Sequence, residues 1–436
     1  MKESLEELFK MPRYLLGEGY DNALTFINHL KPLEILEFPS GTKLGTWTVP
    51  DEWVVTDAFV TFDGKKIIDY KTEPLSLVVG SLPFEGVVTH EELAKHLTHG
   101  DGDATPYVFK YYDKDWGFAV PKDFTLTEGD YVVHINTEYK PGTMKLGVHT
   151  IPGKSDREVL LFAHLDHPHQ ANDNLSGVMC LLEVAGKIKC DHTIKIIFCP
   201  ETIGSQAYAC TQDLSKVDFV IAVDICGNDG PILFQSAFDQ TARINKVAHT
   251  AITGLGTGFI KGKFRTSIGS DEYPFNDPQI NIPGILLSRH PYKEYHTADD
   301  TPDKIDYSRI TAMGEVVMKI IENYEKDFIP TRHFIGPVMR SRYDIQTPSP
   351  QLNLSYDYLF YSIDGTKYLS ELCYDFGTNF DYSLLALNKL IDDGFIGRAT
   401  LGGSDSSKER KYSPAKQKHT GLSRGTDVPN KRKKVR

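Results

Sequence analysis

Histidines and acids that could hold a divalent cation recur in this chain where an apolar run stops. Val159 to Ala163 leads into His164-Leu165-Asp166-His167, Ile194 to Cys199 leads towards Glu201, Phe219 to Val223 ends at Asp224, and IPGILLS (282–288) precedes the loop that bears His296. Imidazole nitrogen and carboxylate oxygen are zinc ligands, and a carboxylate beside zinc can take a proton from water. In His164-x-Asp166 the acid reads as the group that orients the imidazole, because a ligating histidine needs its other ring nitrogen held. An isolated HLDH segment is more often a solvated surface turn. The continuation ANDNLSG (171–177) shifts that balance, since Asp173 then stands just before a helix whose N-terminus offsets part of a carboxylate's charge. Asn172, Asn174 and Gly177 taken alone are turn and cap residues.

Glu201, in PETIGS, follows an apolar strand where an uncompensated carboxylate would be costly to bury, so it reads as a metal ligand or as the base that deprotonates water. The same reasoning marks Asp224 in VIAVDICG. His296, in EYHTADDTPDKID (294–306), is a loop histidine that gains meaning from the other pieces, as the last ligand. Between them lies GSDEYPF, where Glu272 is a second candidate for the base and Asp271 or Glu272 for the group that meets a substrate amine.

Elements must bring these residues to one rim. Apolar runs at 158–166, 193–201 and 218–227 alternate with helical patterns at 175–188, 205–214 and 308–324, which predicts parallel strands buried on both faces. In such a sheet ligands bind beyond the carboxyl ends of the strands. Met1 to Leu16 predicts an amphipathic helix within a helical spacing that runs from Leu5 to Leu36, and PSGTK (39–43) breaks it. Short alternating runs follow at 53–62, 66–70 and 75–79 between turn signals. After the Pro-rich 346–350, two short helical patterns, a third ending in DDGF and a following strand suggest a winged helix. The expected fold class is α/β: a mainly parallel core from residues 1–38 and 131–335, an inserted small β-rich domain over 39–130, a winged-helix-like domain over 351–402 and a basic, disordered tail over 403–436.

Composition narrows the partners. The chain has 436 residues and a formal charge of −11, which argues against a surface that binds nucleic acid or anionic membrane throughout. The tail departs from this: eleven Lys and Arg against three acids leave it at +8 and the rest at −19. The third helix of the winged unit, Tyr382 to Asp393, offers Lys389 but also Asp392 and Asp393, a poor phosphate surface, so nucleic acid is not the expected partner. No run approaches the roughly 20 apolar residues of a membrane span, and the start lacks the apolar core of a signal peptide. Six cysteines without a Cys-x-x-Cys pair point to reduced thiols and a cytoplasmic protein. The oligomeric state is open, a homo-oligomer included.

At these motifs the chain resembles the aminopeptidase family of co-catalytic zinc exopeptidases, in which a His-x-Asp strand end, a bridging aspartate in a GANDN-type loop, a Glu, an Asp and a late YHT histidine bind two zinc ions. Over nearly its whole length it is similar to aminopeptidase-like proteins with a small inserted domain and a C-terminal winged helix, through PSGTKLGTWTVPDEW, TPYVFKYYDKDWGF, ANDNLSG, PETIGS, GSDEY and EYHT. The resemblance implies that His164, Asp173 and Asp224 hold one zinc and Asp173, Glu201 and His296 another. It implies hydrolysis of a peptide bond next to a free amine, with Glu201 as general base; an N-acyl or sugar-linked amide is the alternative substrate, and a metal-binding regulator that contacts nucleic acid the alternative role. The family presents a Glu-Glu pair where this chain has Pro200-Glu201-Thr202, which leaves Glu272 as a substitute base. It also presents a CHPS-like segment in place of Asp166-His167-Pro168-His169, so His164, His167 or both ligate.

Overall fold

The computed structural model describes residues 1–346 and 350–399. Its centre is an eight-stranded sheet in the order Glu34–Pro39, Thr143–Ile151, Thr193–Cys199, Glu158–His164, Val217–Val223, Gly284–Ser288, Ile232–Gln235 and Phe259–Gly262. The four middle strands run parallel to one another. They are the continuous apolar runs, and their burial on both faces explains why they show no alternation. Antiparallel partners flank this block on each side.

One face carries the helices Lys2–Phe9, Glu18–Leu30, Gly177–Lys187, Arg243–Gly254 and Tyr307–Lys326, whose apolar stripes meet the odd-numbered side chains of Val159 to Ala163. Leu160 and Phe162 face the opposite way, towards the helix Ile203–Thr211 and the segment around Phe275 and Ile282. The helical spacing over 5–36 resolves into two helices, and residues from Glu34 onward form the edge strand instead. Pairing with Thr143–Ile151 outweighs local propensity there.

Residues between these outer strands build a second, antiparallel sheet in the order Lys65–Asp69, Glu52–Phe62, Asp130–Lys140 and Phe84–Thr89, with its own core around Trp53, Val60, Phe118 and Val133. The run 75–79 is a short 3₁₀ turn followed by isolated bridges, not a strand.

Beyond the core lie three helices, Asn353–Tyr361, Leu369–Phe376 and Phe380–Asp392, and the strand Ile396–Ala399, which pairs with Ile329–Arg332. This unit is tied to the body. Arg243 is stacked between the rings of Tyr324 and Tyr368 at 3.9 and 4.2 Å, and its Nε donates to Asp327 Oδ2 at 3.0 Å. Asp327 in turn accepts from the backbone N–H and hydroxyl of Ser370. In the third helix Asp381 pairs with Lys319, and Lys389 Nζ donates to the carbonyl of Asp344. The basic tail from Gly403 lies outside the described residues. None of the six cysteines, all among the described residues, forms a disulfide.

A candidate metal centre at four strand ends

The strands Thr193–Cys199, Glu158–His164, Val217–Val223 and Gly284–Ser288 end side by side, and the candidate residues follow them. His164 is the last residue of its strand and Asp224 follows its own directly; Glu201 is two residues on, and His296 lies in the loop after the fourth. Asp173 comes from the turn Asn172–Ser176, between the central strand and the next helix.

That turn is stitched to the neighbouring strand end by its own polar side chains. Three successive backbone amides, Ile225, Cys226 and Gly227, donate to Asn174 Oδ1, Ser176 Oγ and Asn172 Oδ1 at 3.1, 2.7 and 2.7 Å. The close approach requires glycine at 177, where a Cβ would lie 2.3 Å from Asn174 Oδ1 and 2.5 Å from the carbonyl oxygen of Val223. From the other side Asp300 accepts the amides of Asn172 and Asp173 at 2.8 and 3.1 Å, and Tyr292 donates its hydroxyl to the same carboxylate at 2.7 Å. Burial pushes the Asp300 carboxyl up to about 7.

Asp173 is the hub of the site. Its Oδ1 lies 2.9 Å from His164 Nε2 and 3.2 Å from His167 Nδ1, and its Oδ2 lies 2.9 Å from His296 Nε2. His164 Nε2 is 3.9 Å from Asp224 Oδ1, and His167 Nε2 is 3.3 Å from Glu201 Oε2. Potential ligand atoms fall into three overlapping groups, each mutually within 4.8 Å: His164, Asp173 and Asp224; His167, Asp173 and His296; His164, His167 and Glu201. Glu201 thus groups with the two histidines of the first loop and not with Asp173 and His296. His164, His167, Asp173 and Asp224 are buried, whereas the side chains of Glu201 and His296 keep 26% and 25% of their surface exposed, which marks the open side.

Electrostatics follow from the crowding. Burial alone would depress the two buried histidines, but Asp224, Glu201 and Asp173 outweigh it and hold His164 and His167 well above the ordinary imidazole value. Burial would raise Asp173, and the three histidines overcome it to hold that carboxyl well below the usual range. Asp224 goes the other way: burial raises it, and Asp173 and Glu201 add to the rise. Opposite displacements of neighbouring acids follow from like charges sharing one buried site, where the acid nearer the histidines stays ionised and the other is raised.

The donor set fits a divalent metal. His167 Nδ1 and His296 Nε2 are buried and lack an aligned hydrogen-bond partner, although carboxylate oxygens of Asp173 lie 3.2 and 2.9 Å away. Asp224 Oδ1 likewise has none. Ligand atoms gathered within 4.8 Å of one another and left without hydrogen bonds are available to a cation, and nitrogen with carboxylate oxygen suits zinc.

Two acids occupy places different from those the motif suggested. Asp166 does not orient His164; its Oδ1 accepts the amide of Glu201 at 2.8 Å, because the neighbouring parallel strand ends alongside and presents that N–H. The carboxylate facing His164 Nδ1 is Asp271, at 3.4 Å, whose other oxygen accepts the amide of Thr202. Glu272 is sealed, only 1% exposed, with both carboxylate oxygens lacking a hydrogen-bond partner; burial pushes it up to about 8. Sequence reasoning overlooked Arg13 and Tyr107. The Tyr107 ring lies 5.3 Å from that of His167 and 5.4 Å from that of His296, and its amide donates to the His296 carbonyl at 2.8 Å. It belongs to the segment between the small sheet's strands, which no motif connects to the site.

Known proteins share this fold. A family model described as Domain of unknown function (DUF4910) matches residues 2–327. A Clostridium acetobutylicum protein, named for polysaccharide biosynthesis and an aminopeptidase-like domain, is 32% identical over 308 residues, covering 68% of this chain and 71% of its own. A crystal structure from the same organism, named as a peptidase, is 27% identical and superposes with a TM-score of 0.77 over 91% of this chain and 96% of that one. The zinc aminopeptidase BSAP of Bacillus subtilis, 15% identical, shares the fold, with a TM-score of 0.57 over 74% and 94% of the two chains. With a family model matched across the α/β core and a relative that carries the same aminopeptidase-like domain, the chain belongs to the DUF4910 family of aminopeptidase-like proteins.

Proposed function

We propose that the protein is a zinc-dependent aminopeptidase-type hydrolase that cleaves a peptide bond next to a free amine. The observation that carries this reading is the convergence of ligand atoms from three histidines and two aspartates, of which His167 Nδ1, His296 Nε2 and Asp224 Oδ1 are buried without a hydrogen-bond partner. His164, Asp173 and Asp224 would hold one ion and His167, Asp173 and His296 a second, with Asp173 common to both groups. Zinc held there supplies Lewis acidity, which polarises a carbonyl and acidifies water.

His167 resolves the missing second glutamate. With Nδ1 among the ligand atoms beside Asp173 and His296, it takes the place of the ligand acid, and its Nε2 faces Glu201. Glu201 is then free to act as general base. Its partial exposure on the open side suits that task, the amide held by Asp166 fixes its backbone, and the nearby histidines hold its carboxyl below the usual value against burial, so it is ionised and able to accept a proton at neutral pH. Sealed Glu272 is poorly placed for the role. Asp271 lies behind His164, its Oδ2 3.4 Å from Nδ1, where a carboxylate can orient a ligating imidazole.

The test is a comparison of aminoacyl anilides with their N-acetylated forms, run with zinc, with chelator, and with zinc restored. Hydrolysis of the free-amine substrates alone, lost and regained with the metal, is the expected result. The name of the Clostridium relative favours a second reading, an N-acyl or sugar-linked amide as substrate, and cleavage of N-acylated amino sugars in place of aminoacyl anilides would select it.

A further inference from the structure

Arg13 is completely buried, and its hydrogen bonds run to backbone carbonyls of two separate segments. Nε donates to Leu165 at 2.8 Å, Nη2 to His167 at 2.8 Å and to Gln170 at 3.0 Å; Nη1 donates to Leu8 and, at 3.4 Å, to Met11. One guanidinium therefore gathers three carbonyls of the loop that follows His164 and fastens them to the end of the N-terminal helix. That helix packs on the Asn172–Ser176 turn and on the turn Pro302–Lys304, and Phe9 meets the ring of His169 edge-on at 6.2 Å. Burying a guanidinium is expensive, and an apolar side chain would fill the same space without that penalty. The rigid fork of donors has a different use: it organises carbonyls that no strand partner takes.

The loop needs such organisation. His167 has φ of 70°, a left-handed conformation unfavourable for a residue with a Cβ, which persists only where surrounding contacts over-determine it. His164 is placed differently, as the last residue of a strand paired on both sides, and Asp224 directly follows another. Arg13 hydrogen-bonds to neither of them.

We propose that Arg13 is a positioning residue for His167, and thereby sets the affinity of the metal position formed by His167, Asp173 and His296 while leaving that of His164, Asp173 and Asp224 unchanged. This rests on the metal reading above. The experiment is a zinc titration against a chromophoric chelator, with metal-free melting temperature measured in parallel, for wild type, Arg13→Lys, Arg13→Met and, as reference, His167→Gln. Wild type takes two equivalents. In Arg13→Lys the first equivalent binds as in wild type and the second at least tenfold more weakly, and hydrolysis returns when free zinc is raised; His167→Gln shows the same split without that recovery. Arg13→Met shows a larger loss than Arg13→Lys, and if it does not fold, the lysine variant decides alone. Two equivalents of unchanged affinity in folded Arg13 variants would overturn the proposal, as would parallel weakening of both positions with a lowered metal-free melting temperature, the signature of a purely structural role. Fewer than two equivalents in wild type overturns instead the two-position reading on which it stands.

Discussion

Glu201 and His296 are the two cluster members open to solvent, and they separate chemistry from binding. On the proposed reading Glu201→Gln removes the general base and keeps the shape, so hydrolysis should fall by about 100-fold or more with zinc content retained; kcat/KM alongside metal analysis checks this, and activity within tenfold would assign the base elsewhere. His296→Ala removes the nitrogen that faces Asp173 Oδ2 and should cost at least half the bound zinc, measured by mass spectrometry on purified protein. Glu272 makes a prediction about pH. Its folded pKa of about 8 lies above the unfolded carboxylate range near 4.3, so the native state binds the proton more tightly; the group is neutral and harmless below the unfolded value, and stability is lost as pH climbs from there through 8. Each unit of that gap is worth on the order of 1.4 kcal/mol. Glu272→Gln should therefore melt like wild type near pH 4.5 and progressively higher than wild type towards pH 8. A difference that does not change with pH would mean the buried carboxyl is not held neutral.

At the scale of elements, the metal cluster is assembled by loops whose geometry is imposed by neighbours. Asp300 ties the His296 loop to the Asp173 turn through two backbone amides, and the segment around Tyr107 ties the small antiparallel sheet to the His296 loop through Thr105, Pro106 and Tyr107. The small sheet is thereby part of the wall of the site. The C-terminal helices are attached by a different device. Asp327 compensates Arg243 and caps the helix Leu369–Phe376, so Asp327→Ala leaves a stacked guanidinium without its counter-ion and the cap without its acceptor. Loss of about 3–5 kcal/mol of stability is expected, with zinc content unchanged because Asp327 touches none of the cluster. Chemical denaturation together with metal analysis checks both halves. The same attachments bear on nucleic acid: the lysine that could meet a phosphate already donates to the carbonyl of Asp344.

For the whole molecule, charge is divided between a body of −19 and a tail of +8. The tail has eleven cations and few apolar groups to bury, so deletion from Gly403 should leave zinc content and melting temperature unchanged at high salt, with any effect confined to low ionic strength where the two charges attract. Loss of several degrees at high salt would show specific packing. The α/β fold was readable in the chain because buried parallel strands are continuous apolar runs, and His164, His167, Glu201 and Asp224 because each lies within a few positions of where such a run stops, with Asp173 and His296 in the loops that follow; strand direction then puts them on one rim. Pairings across the rim were not readable. The Asp166 carboxylate and the Nδ1 of His164 face segments distant in sequence, the turn after Cys199 and the turn at Asp271, so that Asp271, not the acid two residues on, faces the histidine. Glu201 and Glu272 are both acids in short loop motifs, PETIGS and GSDEYPF, and only burial tells the solvent-facing one from the sealed one. Arg13 carries no motif, since an arginine in a short loop is ordinarily solvated. Its role appears only when residues 165–170 fold back over it and present their carbonyls, a contact that spans more than 150 positions in the chain.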